Sequence, residues 1–208
     1  LPFACFIACF EEVNMKRRMP ISLLLIVLLP ATLAAAGRSE EQPAGDVPPV
    51  TAGGSLGIDV VGGLHVTGTP IDVNLDEYRL EISGLVDRPL SLEFSDIRAM
   101  PAVHRSAVLI CPGFFRDKGL WTGVPLRLLL ERAGVRRNAG SVAFRSIDGS
   151  YEQTLPIKTA TSDGVYLAYE FNGKIFDRRN GYPLRLVAEG EPGSVWVKWL
   201  GEIEVLAK

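Results

Sequence analysis

The chain has 208 residues, 47% hydrophobic and 22% charged, which suits one good apolar core and hardly two. Its net charge of -2 excludes a dedicated nucleic-acid or anionic-membrane binder, because such a surface needs a basic surplus. Any basic cluster must be local.

The first 36 residues read as targeting sequence. Lys16-Arg17-Arg18 precedes an apolar run from Ile21 to Leu29, followed by Pro30 and the small residues Ala34-Ala35-Ala36, so the parts of a secretory signal stand in order. The run is too short to span a bilayer. Cleavage after Ala36 would release a periplasmic or secreted chain with no membrane span, beginning near Gly37. Met15 is the expected start, with residues 1–14 as upstream sequence. Arg17-Arg18 allows a twin-arginine route, but Met19 and Pro20 fit an ordinary signal at least as well. Removing the signal removes Cys5 and Cys9 and leaves Cys111 alone, so no intrachain disulfide is expected.

Residues 37–57 are rich in Ser, Glu, Gln, Pro and Gly without apolar periodicity, and are expected to be a linker. The folded domain is expected over residues 58–208, as one unit of α+β class with mixed β-sheets and short interspersed helices.

Within it, Tyr78–Val86 alternates apolar and polar residues, Asp87-Arg88-Pro89 turns the chain, and Leu90–Phe94 returns it. Ser95 is expected to cap a short helix ending at Met100, before Pro101. A strand from Arg105 delivers Cys111 to a glycine-rich loop mouth. Pro125 then opens an amphipathic helix with Leu126, Leu129, Leu130 and Ala133 on one face, and Gly134 stops it. A strand Ser141–Ser146, a turn at Asp148-Gly149, a strand Tyr151–Leu155 and a helical turn at Ile157–Thr161 follow. Val165–Phe171 and Lys174–Phe176 flank Asn172-Gly173, a strong hairpin signal. Leu184–Ala188 and Val195–Leu206 complete the strands. There is no internal repeat.

The lone Cys111 has three readings: a buried apolar residue, a nucleophile, or a metal ligand. Its place before Pro112-Gly113, at the end of a strand, disfavours the first. His104 falls at an odd separation from Cys111 on the same strand, so the two side chains face opposite ways and do not make a Cys-His pair. His65 lies in an irregular stretch. No ligand pair has zinc spacing, and no Ser-His-Asp set stands out. Arg185 and Lys198 are single cations within apolar stretches, either solvated or paired with an anion. With Arg178 and Arg179 nearby, a compact phosphate pocket is the alternative to solvent.

From Tyr78 to Val205 the chain resembles the molybdopterin-binding domain of the sulfite oxidase family of molybdenum oxidoreductases, in a small, stand-alone form. The matching pieces are Tyr78-Arg-Leu-Glu-Ile-Ser-Gly84, Cys111 with Gly113, Trp121-Thr-Gly-Val-Pro-Leu126, Asn180-Gly-Tyr-Pro-Leu-Arg185-Leu-Val187, and Val197-Lys-Trp-Leu-Gly201, in order. The resemblance implies a sulfite-oxidase-type molybdopterin-binding fold and a molybdenum-molybdopterin cofactor. It implies Cys111 as the thiolate ligand of the metal, Arg185 and Lys198 on the pterin phosphate, and Asn180 at a cofactor-contacting position where relatives often carry histidine. Arg116 matches a basic residue of the anion pocket in sulfite-oxidising relatives, which carry an asparagine shortly after the cysteine and an arginine pair beyond it. Here Phe114 and Phe115 precede a single Arg116, and Val66–Pro70 lacks the arginine or asparagine that relatives place over the metal. Such an apolar mouth suits a neutral or weakly anionic small-molecule substrate.

The expected activity is oxygen-atom or two-electron transfer by an exported oxidoreductase. The stretch ending at Lys208 carries no haem segment and no dimerisation domain, so electrons are expected to pass through a separate electron-transfer protein such as a cytochrome. A degenerate cofactor-binding or scaffold module and a cofactor-free thiol enzyme are the alternatives.

Overall fold

The computed structural model describes residues 58–208. The expected leader, signal and linker, with Cys5 and Cys9, lie outside the described residues.

A two-stranded hairpin comes first, β1 (Val60–Val61) with β2 (Leu64–His65). Then follow β3 (Leu80–Gly84), β4 (Leu90–Leu92), α1 (Phe94–Arg98), β5 (Val103–Cys111), β6 (Phe115–Pro125) and α2 (Leu126–Ala133). The remaining elements are β7 (Ala139–Ser146), β8 (Glu152–Pro156), α3 (Ile157–Ala160), β9 (Val165–Phe171), β10 (Lys174–Ile175), β11 (Arg185–Ala188) and β12 (Leu200–Ala207).

These strands form two five-stranded sheets. One runs β4-β3-β12-β7-β8, with β12 parallel to β3 and antiparallel to β7. Its inward side chains follow the period of two: Leu80 and Ile82 on β3 and Ile203 and Val205 on β12 are buried, and Ile203 lies opposite both Ile82 and Phe144. In the other sheet β5, β6 and β9 pair in turn, and β10 and β11 share the outer edge of β9. All but one residue of β9 is buried, as expected of a central strand covered on both faces.

One apolar cluster takes in residues of both sheets. Hydrogen bonds lace β11 to the segment entering β12: Leu186 N–H donates to Val197 and Leu200 N–H to Leu184. The Tyr78 hydroxyl adds a bond to the Leu200 carbonyl at 2.7 Å. Helix α2 buries Leu126, Leu129, Leu130 and Ala133 against β6 and β9, with Arg127 and Glu131 paired on its outer face. Gly134 ends it in the left-handed conformation, at φ 74°.

Three expectations are corrected. The glycine-rich stretch after Cys111 is not a loop: the turn is short, closed by Phe114 N–H to the Cys111 carbonyl, and β6 occupies the rest. Gly113 serves the turn with φ 80°, whereas the glycines of β6 answer to close packing, since a Cβ on Gly119 would lie 2.2 Å from the Phe171 ring and one on Gly123 would lie 2.2 Å from the Leu167 carbonyl oxygen. Helix α1 starts two residues earlier than expected, because Glu93 and not Ser95 is its N-cap and the Glu93 N–H bonds the Asp96 carboxylate. Finally, Val195–Leu206 is not one strand. A 3₁₀ turn spans Gly193–Val195, Trp199 has φ 50°, and β12 begins only at Leu200, so Lys198 sits on an irregular crossing between the sheets.

Candidate functional site

Where the two sheets meet, a cavity of about 590 Å³ opens. The end of the β5-β6 hairpin contributes Leu109, Cys111, Phe115 and Asp117, the segment after β2 contributes Thr67 to Ile71, and the β7-β8 turn contributes Asp148 and Tyr151. Arg185 from β11 and Gly193, Trp196, Lys198 and Trp199 from the crossing segment close it.

Cys111 is the last residue of β5, half-buried, opposite Phe115 on β6. It is a free thiol facing the cavity. His104 is exposed, its Nδ1 3.0 Å from the Thr122 hydroxyl, and it does not line the cavity, as strand alternation requires. Among the described residues no three His, Cys, Asp or Glu side chains gather around a metal position.

Arg185 is 4% exposed, with its guanidinium over the rings of Trp121 at 5.2 Å and Phe176 at 5.8 Å. One NH group donates to the Asn180 carbonyl at 3.1 Å, while the buried Nε has no partner. Burial lowers its pKa to about 10, against the opposing pull of Asp117. Lys198 Nζ is bonded to backbone carbonyls only, those of Thr67 and Arg179, and lies over the Trp199 ring. Burial first, and the charge of Arg185 second, lower its pKa to about 7, again with Asp117 opposing. Among the described residues neither cation has a bonded carboxylate. Two such cations facing one cavity are costly unless an anion enters between them.

A pH dependence follows. The folded chain binds the Lys198 proton only below about 7, whereas the unfolded chain binds it below the ordinary value of 10.5. Unfolding therefore takes up protons between those values, and the stability of cofactor-free protein should rise with pH across that window. Thermal melts from pH 7 to 10 should show the rise in wild type and a flatter profile in Lys198→Met. Equal slopes would remove Lys198 as the cause.

The cavity brings together Cys111, Arg185 and Lys198, but not the other candidates. Asn180 is 2% exposed and lies behind Arg185. Its Nδ2 donates to the Val61 carbonyl at 2.7 Å, and its Oδ1 is buried without a partner. Arg116 is exposed and outside the cavity lining, because Phe115 and Asp117 take the inner face of β6 and alternation turns Arg116 outward.

One cavity residue, Asp117, went unnoticed in the sequence, and another, His65, was expected in an irregular stretch but lies on β2. Asp117, 4% exposed, accepts the His65 backbone N–H at 2.9 Å and contacts His65 Nδ1 at 2.5 Å. The His65 ring stacks on Phe115 with centroids 4.3 Å apart. Reading 115–121 as a strand would have exposed the signal, a carboxylate on the same face as Phe115 and Trp121.

Residues 66–208 match the family described as oxidoreductase molybdopterin binding domain. The chain is 32% identical over 174 residues to a sulfite oxidase of Arabidopsis thaliana, covering 67% of this chain and 44% of that protein. It is 34% identical over 161 residues to an NADH nitrate reductase of Volvox carteri (62% and 19%). It is 32% identical over 123 residues to an oxidoreductase of Bacillus subtilis strain 168 named YuiH (59% and 62%). The chain thus spans less than two thirds of each of these relatives. Among solved structures, the sulfane dehydrogenase SoxCD from Paracoccus pantotrophus superposes with a TM-score of 0.64 at 30% identity, over 67% of this chain and 40% of that one. The fold is the sulfite-oxidase type of molybdopterin-binding fold, with mixed sheets and short helices.

Proposed function

Because the chain belongs to the oxidoreductase molybdopterin binding domain family, we propose that it binds a molybdenum-molybdopterin cofactor and carries out oxygen-atom or two-electron transfer on a small molecule. The observation that carries this reading is the pair of carboxylate-free cations, Arg185 and Lys198, lining one cavity with the free thiol of Cys111. The donor set fits the group. A thiolate is the soft side-chain donor that molybdenum takes, and a buried guanidinium with an idle Nε beside an ammonium matches a phosphate. When bound, the cofactor supplies the redox and oxygen-transfer chemistry.

The chain's own residues have distinct tasks. Cys111 offers its thiolate from a rigid strand end. Trp121 and Phe176, two adjoining rings, pack on the Arg185 guanidinium, and Asn180 anchors it, so the charge is in place before any anion arrives. Leu109, Phe115, Trp196 and Trp199 keep the cavity wall largely apolar, which excludes water and favours a neutral or weakly anionic substrate.

Electrons are proposed to pass through a separate protein such as a cytochrome. Export through the signal at residues 16–36 to the periplasm or beyond is proposed with it. Among the described residues no helix is long and apolar enough to cross a membrane.

One preparation tests the reading. Protein expressed in a cofactor-competent host should carry molybdenum by elemental analysis and begin near Gly37 by N-terminal sequencing. Absence of molybdenum would overturn the cofactor, and bound molybdenum with no turnover on any substrate would favour a cofactor-binding module.

A further inference from the structure

We propose that His65, held by Asp117, is the proton acceptor of this cavity, acting on a water or on a small molecule that presents an O–H or N–H; the inference rests on the function proposed above. Three contacts fix the imidazole. The Asp117 carboxylate is locked to β2 by the His65 backbone N–H at 2.9 Å, its other oxygen lies 2.5 Å from Nδ1, and Phe115 stacks on the ring at an interplanar angle of 11°. Phe115 and Asp117 alternate onto one face of β6, so a single strand sets both the plane and the edge of the ring.

The tautomer follows from the partner. An ionised carboxylate only accepts, so Nδ1 carries the proton, and the neutral ring keeps its lone pair on Nε2. Nε2 has no hydrogen bond among the described residues. The side chain is 28% exposed and lines the cavity. One nitrogen is tied down, the other has no partner among the described residues, and the side chain borders the cavity.

In the proposed step the proton leaves the bound O–H or N–H for Nε2, and the electron pair of that bond stays on the oxygen or nitrogen. The resulting imidazolium is stabilised by the Asp117 carboxylate, with no proton passing to the aspartate. His65 is then a catalytic residue and Asp117 a positioning residue. A positioned base of this kind contributes about 10²-fold to 10⁴-fold to a rate.

The chain has only two histidines, which makes the test direct. In protein labelled with [¹⁵N]histidine, loss of one ring system in His65→Gln assigns His65. The wild-type spectrum should then show a protonated Nδ1 and an unprotonated Nε2 for the neutral ring. Asp117→Asn should invert this. The His65 backbone N–H still needs the side-chain oxygen, so the amide NH₂ faces Nδ1 and drives the proton to Nε2. Carbethoxylation of His65 by diethyl pyrocarbonate, read by mass spectrometry against His104 as internal reference, should proceed in wild type and be lost in Asp117→Asn. Molybdenum content should not change in His65→Gln.

An Nε2-protonated ring in wild type, or no labelling of His65, overturns the proposal even if Asp117→Asn does not fold. Loss of molybdenum from His65→Gln overturns it differently, by making His65 a cofactor contact. A wild-type chain that never binds molybdenum instead defeats the function above, and it does so without altering the tautomer measurement.

Discussion

Cys111→Ser is expected to abolish molybdenum ligation by the chain and with it all redox turnover, while the domain stays folded. Serine keeps the size of the side chain but replaces a soft thiolate by a hydroxyl that is neither ionised at neutral pH nor matched to such a metal. The fold has little to lose. Cys111 ends β5, and its ladder partner Phe115 and the turn bond from Phe114 are engaged through the backbone. The side chain is only half-buried, so the stability change should be about 1 kcal/mol or less. Molybdenum spectroscopy and thermal melts on the same sample separate the two effects. An unchanged metal spectrum would remove Cys111 from the site, and collapse of the fold would mean that its part is structural.

The double variant Arg185→Ala with Lys198→Ala is expected to purify largely without cofactor. A charge-assisted bond to a phosphate contributes about 1.5 to 3 kcal/mol, so each lost contact weakens retention roughly 10-fold to 150-fold. Two opposing effects bear on the fold itself. Removing Arg185 takes away the packing of its side chain against Trp121 and Phe176. It also removes a charge whose burial is disfavoured, as its lowered pKa of about 10 records. Arg185→Met, paired with Lys198→Met, keeps most of the packing and should lose cofactor just as fully. The melting temperature should fall relative to loaded wild type, since bound cofactor favours the native state. A double variant carrying a full complement of molybdenum would refute phosphate anchoring.

Much of this architecture could be read from local patterns. The apolar face of α2, the Gly134 stop, the Asn172-Gly173 hairpin with φ 51° and 73°, and the buried run of β9 depend on neighbours in sequence. What misled was glycine. Gly119 and Gly123 look like loop residues, yet they lie in β6 because Phe171 and the Leu167 backbone come too close for any side chain. That reading hid the alternation of β6, and with it the burial of Asp117 and the outward turn of Arg116.

By itself the sequence determined most of the strands and helices, though not β2, β6 or the break before β12, together with the α+β class, Cys111 at a strand end and two cations among apolar residues, because each is written in spacing and residue type. Which of these meet was decided by tertiary structure alone. Arg185 is buried only when Trp121 on β6 and Phe176 just after β10 close over it. Likewise Lys198 drops to about 7 through its burial on an irregular crossing first and the charge of Arg185 second, and His65 acquires Asp117 from 52 residues away. Desolvation and Coulomb coupling depend on distance in space, and no spacing along a chain encodes them.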